Sequence, residues 1–408
     1  MIPPFRAIGA RWNAVYSEFP RPFWVLILGI FVDMFGRSSV QLFLVLFFTQ
    51  RFGIDLSQAG VLLLLFTVSA MIGRTLGGAL TDKFGRRRMI VFGIIASALS
   101  SLVIPFIPTL SAMYPVIVVA GLVASIGGPA RFAALADLLP PAQRKEGFSI
   151  ARVAVNLAWI SGPILGGFLF DVSYLSIFIL DAVTSLIVAW IVFRGLPETA
   201  PSLGTSSQGN LSLVDVFAGY LDVLRDWRYM LFLIPIFLIT LAYRQSFGTL
   251  SVFLRDIHGA PAWYLGVLFS FDGFLVVLLQ VWLTRRTRDI SPHIIMAVGA
   301  FLYSIGFALF GFVQGLALFM VAKFFIVFGE MLYDPAMTAE SFAYAPDRMR
   351  GRYTAIRALA RSSAIAVAPI LGGLVMEAFS PFLVWYLAGG LALVVGVIYF
   401  LMPNPRTQ

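Results

Sequence analysis

Apolar residues run in long blocks, and polar residues are confined to the gaps between them. The blocks fall at about Phe23–Phe48, Val61–Ala79, Met89–Pro108, Ala112–Leu135, Phe148–Phe170 and Tyr174–Phe193. After a polar stretch they resume at Tyr229–Leu254, Trp263–Leu283, His293–Val313, Leu316–Thr338, Tyr353–Glu377 and Phe382–Met402. A helix that crosses a bilayer needs roughly 20 apolar residues, so the pattern predicts twelve spans. Short polar gaps such as Thr49–Ser57 and Pro140–Glu146 read as loops and turns. The polar stretch from Arg194 to Arg228 contains Pro197, Pro201 and the run Gly204-Thr205-Ser206-Ser207-Gln208-Gly209-Asn210, a linker composition. The expected organisation is a six-helix bundle over 1–193, a linker over 194–228 that ends in an amphipathic helix at 211–225, and a second six-helix bundle over 229–408.

Composition narrows the class further. The chain has 408 residues, 60% hydrophobic and 12% charged, against roughly 25% charged in soluble proteins. This predicts an all-α, multi-pass protein of the cell membrane. The net charge of +9 reads as topogenic and lipid-facing rather than as a nucleic-acid footprint. There is no cysteine, which excludes disulfides, thiol catalysis and Cys-based metal sites. The first block is too long for a cleavable signal and lacks a small-residue cleavage site. Loop cations gather on one side: Arg6 and Arg11, Lys83 with Arg86–Arg88, Arg144 with Lys145, the linker, Arg285-Arg286-Thr287-Arg288, and Arg348, Arg350 and Arg352. The other side offers Arg51 and Arg255. Lys- and Arg-rich short loops stay inside, so both termini and the linker are expected in the cytoplasm, in a bacterial inner membrane.

The two halves repeat at a constant offset of 206 residues. Gly128-Pro129-Ala130 matches Asp334-Pro335-Ala336, Arg144 matches Arg350, and Pro163-Ile164-Leu165-Gly166-Gly167 matches Pro369-Ile370-Leu371-Gly372-Gly373. A same-orientation repeat six spans apart implies two halves related by an axis along the membrane normal, with a site between them near the midplane.

The turn Gly78-Ala79-Leu80-Thr81-Asp82-Lys83-Phe84-Gly85-Arg86-Arg87 resembles the loop between helices two and three of the major facilitator superfamily, and of its twelve-helix drug/proton antiporters in particular. Gly162-Pro163-x-x-Gly166-Gly167 on the fifth span resembles the antiporter motif. Gly329-Glu330-x-x-Tyr333-x-Pro335 is similar to the tenth-span segment of bacterial multidrug/proton antiporters. The resemblance implies the major facilitator fold, proton-coupled exchange, a cytoplasmic gate at the basic turn and an outward seal at the glycine motif. Two positions depart from it. The family's fourth-span Arg-x-x-Gln-Gly would start at Ile117, and the seventh-span acid of some members is replaced in Gln245-Ser246-Phe247-Gly248.

Asp82 at a helix end can meet the positive N-terminus of a neighbouring helix, and Arg86 can pair with Asp137. The latch is therefore expected at Gly78, Asp82, Gly85, Arg86, Arg87 and Asp137. Charged groups inside hydrocarbon are costly and are functional candidates. Asp33 lies about 15 Å deep at the helical rise, and Arg37 stands on the same face four residues on. Glu330 and Asp272 are equally deep, and burial disfavours a charged carboxylate, which suits proton loading. Lys323 or Arg357 is a candidate partner for Glu330. Deep cations also include Arg74, Arg152, Arg244 and Arg361. The expected proton and substrate sites are Glu330, Asp33, Asp272, Arg37, Arg244 and Lys323, while Asp181 reads as structural. Phe is abundant (39 residues), which fits an adaptable apolar pocket as well as ordinary packing. His258 and His293 have no metal partner at useful spacing, and there is no phosphate loop or catalytic triad.

These residues predict a transporter with no cofactor and no metal, active as a monomer on a small-molecule substrate and protons, in contact with lipid and not with nucleic acid. The leading expectation is proton-coupled efflux of lipophilic, drug-like molecules. A narrower anionic, sugar or lipid-like substrate on the same fold, including import, is the alternative. A membrane sensor or enzyme is the third.

Overall fold

The computed structural model describes residues 18–199, 222–346 and 349–402. Arg6, Arg11, Arg348 and most of the expected linker and its helix lie outside the described residues. Twelve helices among them are long and apolar enough to cross a membrane: α1 (Arg21–Phe52), α2 (Leu56–Phe84), α3 (Arg86–Phe106), α4 (Leu110–Asp137), α5 (Pro141–Val172), α6 (Tyr174–Gly195), α7 (Trp227–His258), α8 (Ala262–Arg286), α9 (Pro292–Phe310), α10 (Leu316–Ala343), α11 (Arg352–Ala378) and α12 (Leu383–Leu401).

The helices overrun the apolar blocks because backbone hydrogen bonds do not stop where hydropathy does. Pro140–Glu146 is not a free turn. Pro141 opens α5, since a first-turn proline lacks only an N–H that would be unpaired there anyway. Three helices are interrupted. α1 breaks at Leu42–Phe43, α4 after Ser125 and α7 after Arg244. In α7 the backbone tightens to three-residue hydrogen bonds at Gln245, Ser246 and Phe247 before helix resumes at Gly248. α10 runs through Pro335 without a break. Interrupted spans free backbone groups only where protein or a polar cavity can receive them.

The described chain forms two compact units. One takes in the chain up to Val40, Val68–Gly162 and the chain from Ser173 through 199. Its core packs Phe23, Leu26 and Ile27 of α1 with Ile90 and Ile94 of α3, Ala130 and Leu135 of α4, and Val188 and Val192 of α6. The other holds Gln41–Thr67, Pro163–Val172 and the chain from 222 onward. Here Leu275 and Leu283 of α8 pack with Val327 and Met331 of α10. Outer faces of the helices remain apolar, with Phe92, Leu99, Val277, Val281 and Phe400 exposed. Such faces belong in lipid.

Candidate functional site

In the first unit the basic turn forms a small charged knot. Arg86 donates from Nε to Asp137 Oδ2 at 3.1 Å, and its Nη1 lies 3.3 Å from Asp82 Oδ1. The expected meeting of Asp82 with a helix N-terminus does not occur at α3. The Arg86 backbone N–H at the start of α3 donates instead to Glu198 Oε1 at 2.7 Å. Gly85 makes this possible. Its φ of +93° is a conformation side chains rarely adopt, and a Cβ there would meet the Glu198 carboxyl, 2.7 Å from Cδ. Arg87 donates to the Phe193 carbonyl and stacks 4.7 Å from that ring's centroid. Gly78 has open space beside it. Glu198 gave no sequence signal because it lies in the polar stretch after α6, far from the motif.

Deeper in the same unit, Asp33 is 1% exposed and holds two arginines. The expected partner Arg37 is 3.8 Å away, but Arg131 of α4 is closer, with Nη1 2.6 Å from Asp33 Oδ2. Arg131 escaped the sequence reading. One signal was available: the 206-residue repeat puts Met337 at the matching place, so Arg131 is an unmatched charge in an otherwise matched segment. Asp181 of α6 is buried and accepts from Ser101 Oγ of α3. α1 and α5 are knitted through Ser39 Oγ, which donates to the Gly162 carbonyl at 2.8 Å, and Ser38 Oγ, which donates to Ala158 O at 3.2 Å. At Gly162 a Cβ would come within 2.7 Å of the Phe35 carbonyl.

The second unit repeats this register with different side chains. Gln245 Nε2 donates to Ala368 O at 2.9 Å, and Gln245 and Ala368 are the repeat positions of Ser39 and Gly162. Around it lies the acid cluster. Lys323 of α10 is fully buried, with Nζ 2.8 Å from Asp272 Oδ2 of α8 and 4.3 Å from the centroid of Phe269. Lys323 therefore does not pair with Glu330, and the expectation of Lys323 or Arg357 as Glu330's partner is corrected. Glu330 accepts from the Tyr243 hydroxyl at 3.0 Å, and Arg357 donates to Ser341 Oγ at 2.7 Å. The reason is reach: Tyr243 on α7 approaches Glu330 sideways, whereas the seven-residue step from Lys323 carries it two turns along the helix. Arg244 stacks 4.5 Å from the Phe247 centroid, and Arg361 lies 3.6 Å from Asp334. Tyr243, Phe247, Phe269 and Tyr303 form a chain of ring contacts 4.9–5.9 Å apart. Arg74 and Arg152 sit on exposed helix surface.

Gly166 and Gly167 continue the Gly162-Pro163 segment past the unit boundary. Gly167 faces Trp263, whose Cα would stand 2.6 Å from an added Cβ, and Gly266 faces Ile164 of α5. This near-contact of α5 and α8 is the helix packing that small residues permit.

Twelve spanning helices, interruptions in α1, α4 and α7, and charge clusters buried at depth define a membrane transporter of the twelve-helix class. The sequence model of the Major Facilitator Superfamily matches residues 26–293 and 287–408, and the chain belongs to this family. It is 25% identical over 415 residues to the Na(+), Li(+), K(+)/H(+) antiporter of Planococcus maritimus, covering 95% of this chain and 96% of that protein. It is 25% identical over 387 residues to the multidrug resistance protein MdtH of Shigella flexneri, covering 92% and 90%. Among solved structures it is similar to a mutant of the nucleoside transporter NupG, with a TM-score of 0.78 at 14% identity over 93% of this chain and 99% of that one.

Proposed function

We propose that the protein exchanges protons for lipophilic, drug-like molecules and exports the latter by alternating access. The observation that carries this reading is Glu330. It is a half-buried carboxyl on α10, tied by one hydrogen bond to Tyr243 of α7, whose ring in turn contacts those of Phe247 and Tyr303. A carboxyl among aromatic faces suits a lipophilic cation, which gains both charge pairing and contact with ring faces. The rings nearest the site already hold cations of the protein itself, Arg244 and Lys323. A substrate cation would compete with these, and a proton would compete with all of them for the carboxylates. The relatives named as antiporter and multidrug resistance protein support exchange and export.

In this reading the chain forms two six-helix halves joined by the polar linker, with both termini, the linker and the basic turn on the cytoplasmic side of a bacterial cell membrane. Gly78, Asp82, Gly85, Arg86, Arg87 and Asp137 form the cytoplasmic gate. Arg86 exchanges its two carboxylate partners as that side opens and closes. Glu330, Asp272 and Asp33 load protons. Arg37, Arg244 and Lys323 supply the opposing charge, and Gly162, Pro163, Gly166 and Gly167 provide the close helix contact on the outer side. The direct test is purified protein in liposomes with an imposed pH gradient and ethidium as the probe. Proton-driven ethidium movement that falls at least tenfold in Glu330→Gln supports export. Undiminished movement in that variant removes Glu330 from the mechanism.

One observation favours a second reading. Asp33 is opposed by two arginines, Arg37 and Arg131, and a proton loaded on Asp33 would release both for an anionic substrate. Proton-dependent flux of an organic anion, with no ethidium flux, would select it.

A further inference from the structure

Two helix starts in the second unit are each closed by a carboxylate from another helix. Asp171, in the last turn of α5, accepts from the first two backbone N–H groups of α8: Ala262 at 2.9 Å and Trp263 at 3.1 Å. Glu377, in the last turn of α11, accepts from the Ser57 backbone N–H at 2.9 Å and the Ser57 hydroxyl at 2.8 Å, at the start of α2. Asp171 and Glu377 are one repeat apart, and so are Ser57 and Trp263. The two caps are therefore the same contact made twice. We propose that Asp171 and Glu377 are paired positioning residues of the transport cycle, a double lock that holds the ends of α8 and α2 closed and sets the population of the state in which they part.

Three features support this. The first is which helices are joined. Each lock ties a span that precedes the polar linker to one that follows it: α5 to α8 and α2 to α11. A cap serving only to stabilise a bundle would join near neighbours of one half. The second is how the backbones meet. Beside the caps, a Cβ at Gly373 would lie 2.7 Å from Ser57 Cα, and one at Gly60 would lie 2.7 Å from the Ile370 nitrogen. Gly167 meets Trp263 in the same way. Backbone meets backbone along these seams, and at the α5–α8 seam one ring pair, Phe168 stacked on Trp263 with centroids 5.8 Å apart, joins them, so little side-chain interdigitation has to be undone when they part. The third is the chemistry. The opening N–H groups of a helix have no partner within it, and they lie at its positive end. A carboxylate satisfies both when the seam is shut, and water satisfies both when it is open. The lock is therefore discrete and reversible, as an alternating contact requires. Both carboxylates lie on exposed surface at the helix ends, so they can hydrate as soon as the seam parts. The inference rests on the alternating-access reading given above and assigns it the gate on the face away from the basic turn.

The chain has no cysteine, so spin labels can be placed without background. Labels at Asp55→Cys and Phe379→Cys, both exposed, flank the α2–α11 lock. In lipid nanodiscs the distance distribution reports the seam directly and needs no substrate. Losing one cap changes a closed-to-open ratio by about fivefold. Asp171→Ala or Glu377→Ala should therefore raise the ratio of long to short distances by that factor, and the double change by more than tenfold. Ser57→Ala, which removes only the hydroxyl contact, should give an intermediate rise. Asp256→Asn, an acid on the same face outside both locks, should leave the distribution unchanged. An unchanged distribution in the double variant overturns the lock, as does an equal shift in Asp256→Asn. Melting temperature separates a loosened seam from a loosened fold: a shifted distribution with a parental melt supports the lock, and one that appears only with a lowered melt overturns it. Ethidium flux read on the same samples keeps the two readings apart. A shifted distribution without flux keeps the lock and rejects drug export, while flux with an unmoved distribution does the reverse.

Discussion

Lys323 and Asp272 form an ion pair 2.8 Å long between α10 and α8, with the lysine wholly out of contact with solvent. Removing one partner leaves an uncompensated buried charge, which costs about 3–5 kcal/mol. Lys323→Met should therefore lower the thermal midpoint in detergent sharply, and Asp272→Asn added to it should recover most of the loss. A single variant that melts like the parent would show that the pair carries no net stabilisation.

Tyr243 and Glu330 make a contact in which only the hydroxyl matters for the hydrogen bond. Tyr243→Phe keeps the ring contacts with Phe247 and Tyr303 and removes the donor. One neutral-to-charged hydrogen bond contributes about 1.5–3 kcal/mol. The variant should fold normally, because the rings still pack. Its proton-driven ethidium flux should change by about tenfold or more, and the pH profile of that flux should move with it. Parental flux with a profile that stays in place would separate Glu330 from the proton step.

Asp33 ranks its two arginines by distance. Arg131→Met, which removes the 2.6 Å contact, should destabilise the first unit more than Arg37→Met, which removes the 3.8 Å contact. Chemical denaturation of the two variants side by side gives the order. Equal losses would mean that the arginines substitute for one another.

Glu198 and Asp82 part the two tasks at the basic turn. Glu198→Gln weakens the cap on α3 by about 0.5–2 kcal/mol and should appear chiefly as lower stability. Asp82 is 76% exposed, where an ion pair contributes at most about 1 kcal/mol. Asp82→Asn should leave the melt nearly unchanged and abolish transport if the gate reading holds. Normal transport in a stably inserted Asp82→Asn protein would refute that gate.

Gly162 has no room for a methyl group against the Phe35 carbonyl. Gly162→Ala should force α1 and α5 apart, break the Ser39 hydrogen bond to the Gly162 carbonyl, and cost about 1–3 kcal/mol as overpacking does. Ser39→Ala keeps the close approach and removes only the bond, so its loss should be the smaller of the two. Thermal midpoints of the two variants in detergent give the comparison.

The sequence by itself determined the class, the number of spans and the repeat. Hydrocarbon requires every backbone group to be paired within the segment, so a block of apolar residues has one structural outcome and its length is readable. The charged turn and the Asp82, Gly85 and Arg86 frame were legible for the same reason: they are local, and their spacing is fixed by a turn. The mid-helix positions of Asp33, Asp272, Lys323 and Glu330 were legible too, because they need only the helical rise.

Their partners were not. Pairing depends on which faces of which helices meet, and that is set by packing between segments about a hundred residues apart. Arg131 takes Asp33 because α4 breaks after Ser125 and lies against α1. Lys323 takes Asp272 because α8 lies beside α10, leaving Glu330 to Tyr243. Glu198 takes the N-terminus that Asp82 was free to take. Asp171 and Glu377 carry no motif and read as ordinary helix-end acids. Only the tertiary structure brings each to the start of a helix from the other half of the chain, because a helix end shows its unpaired N–H groups to whatever the fold places there, and sequence distance has no say in it.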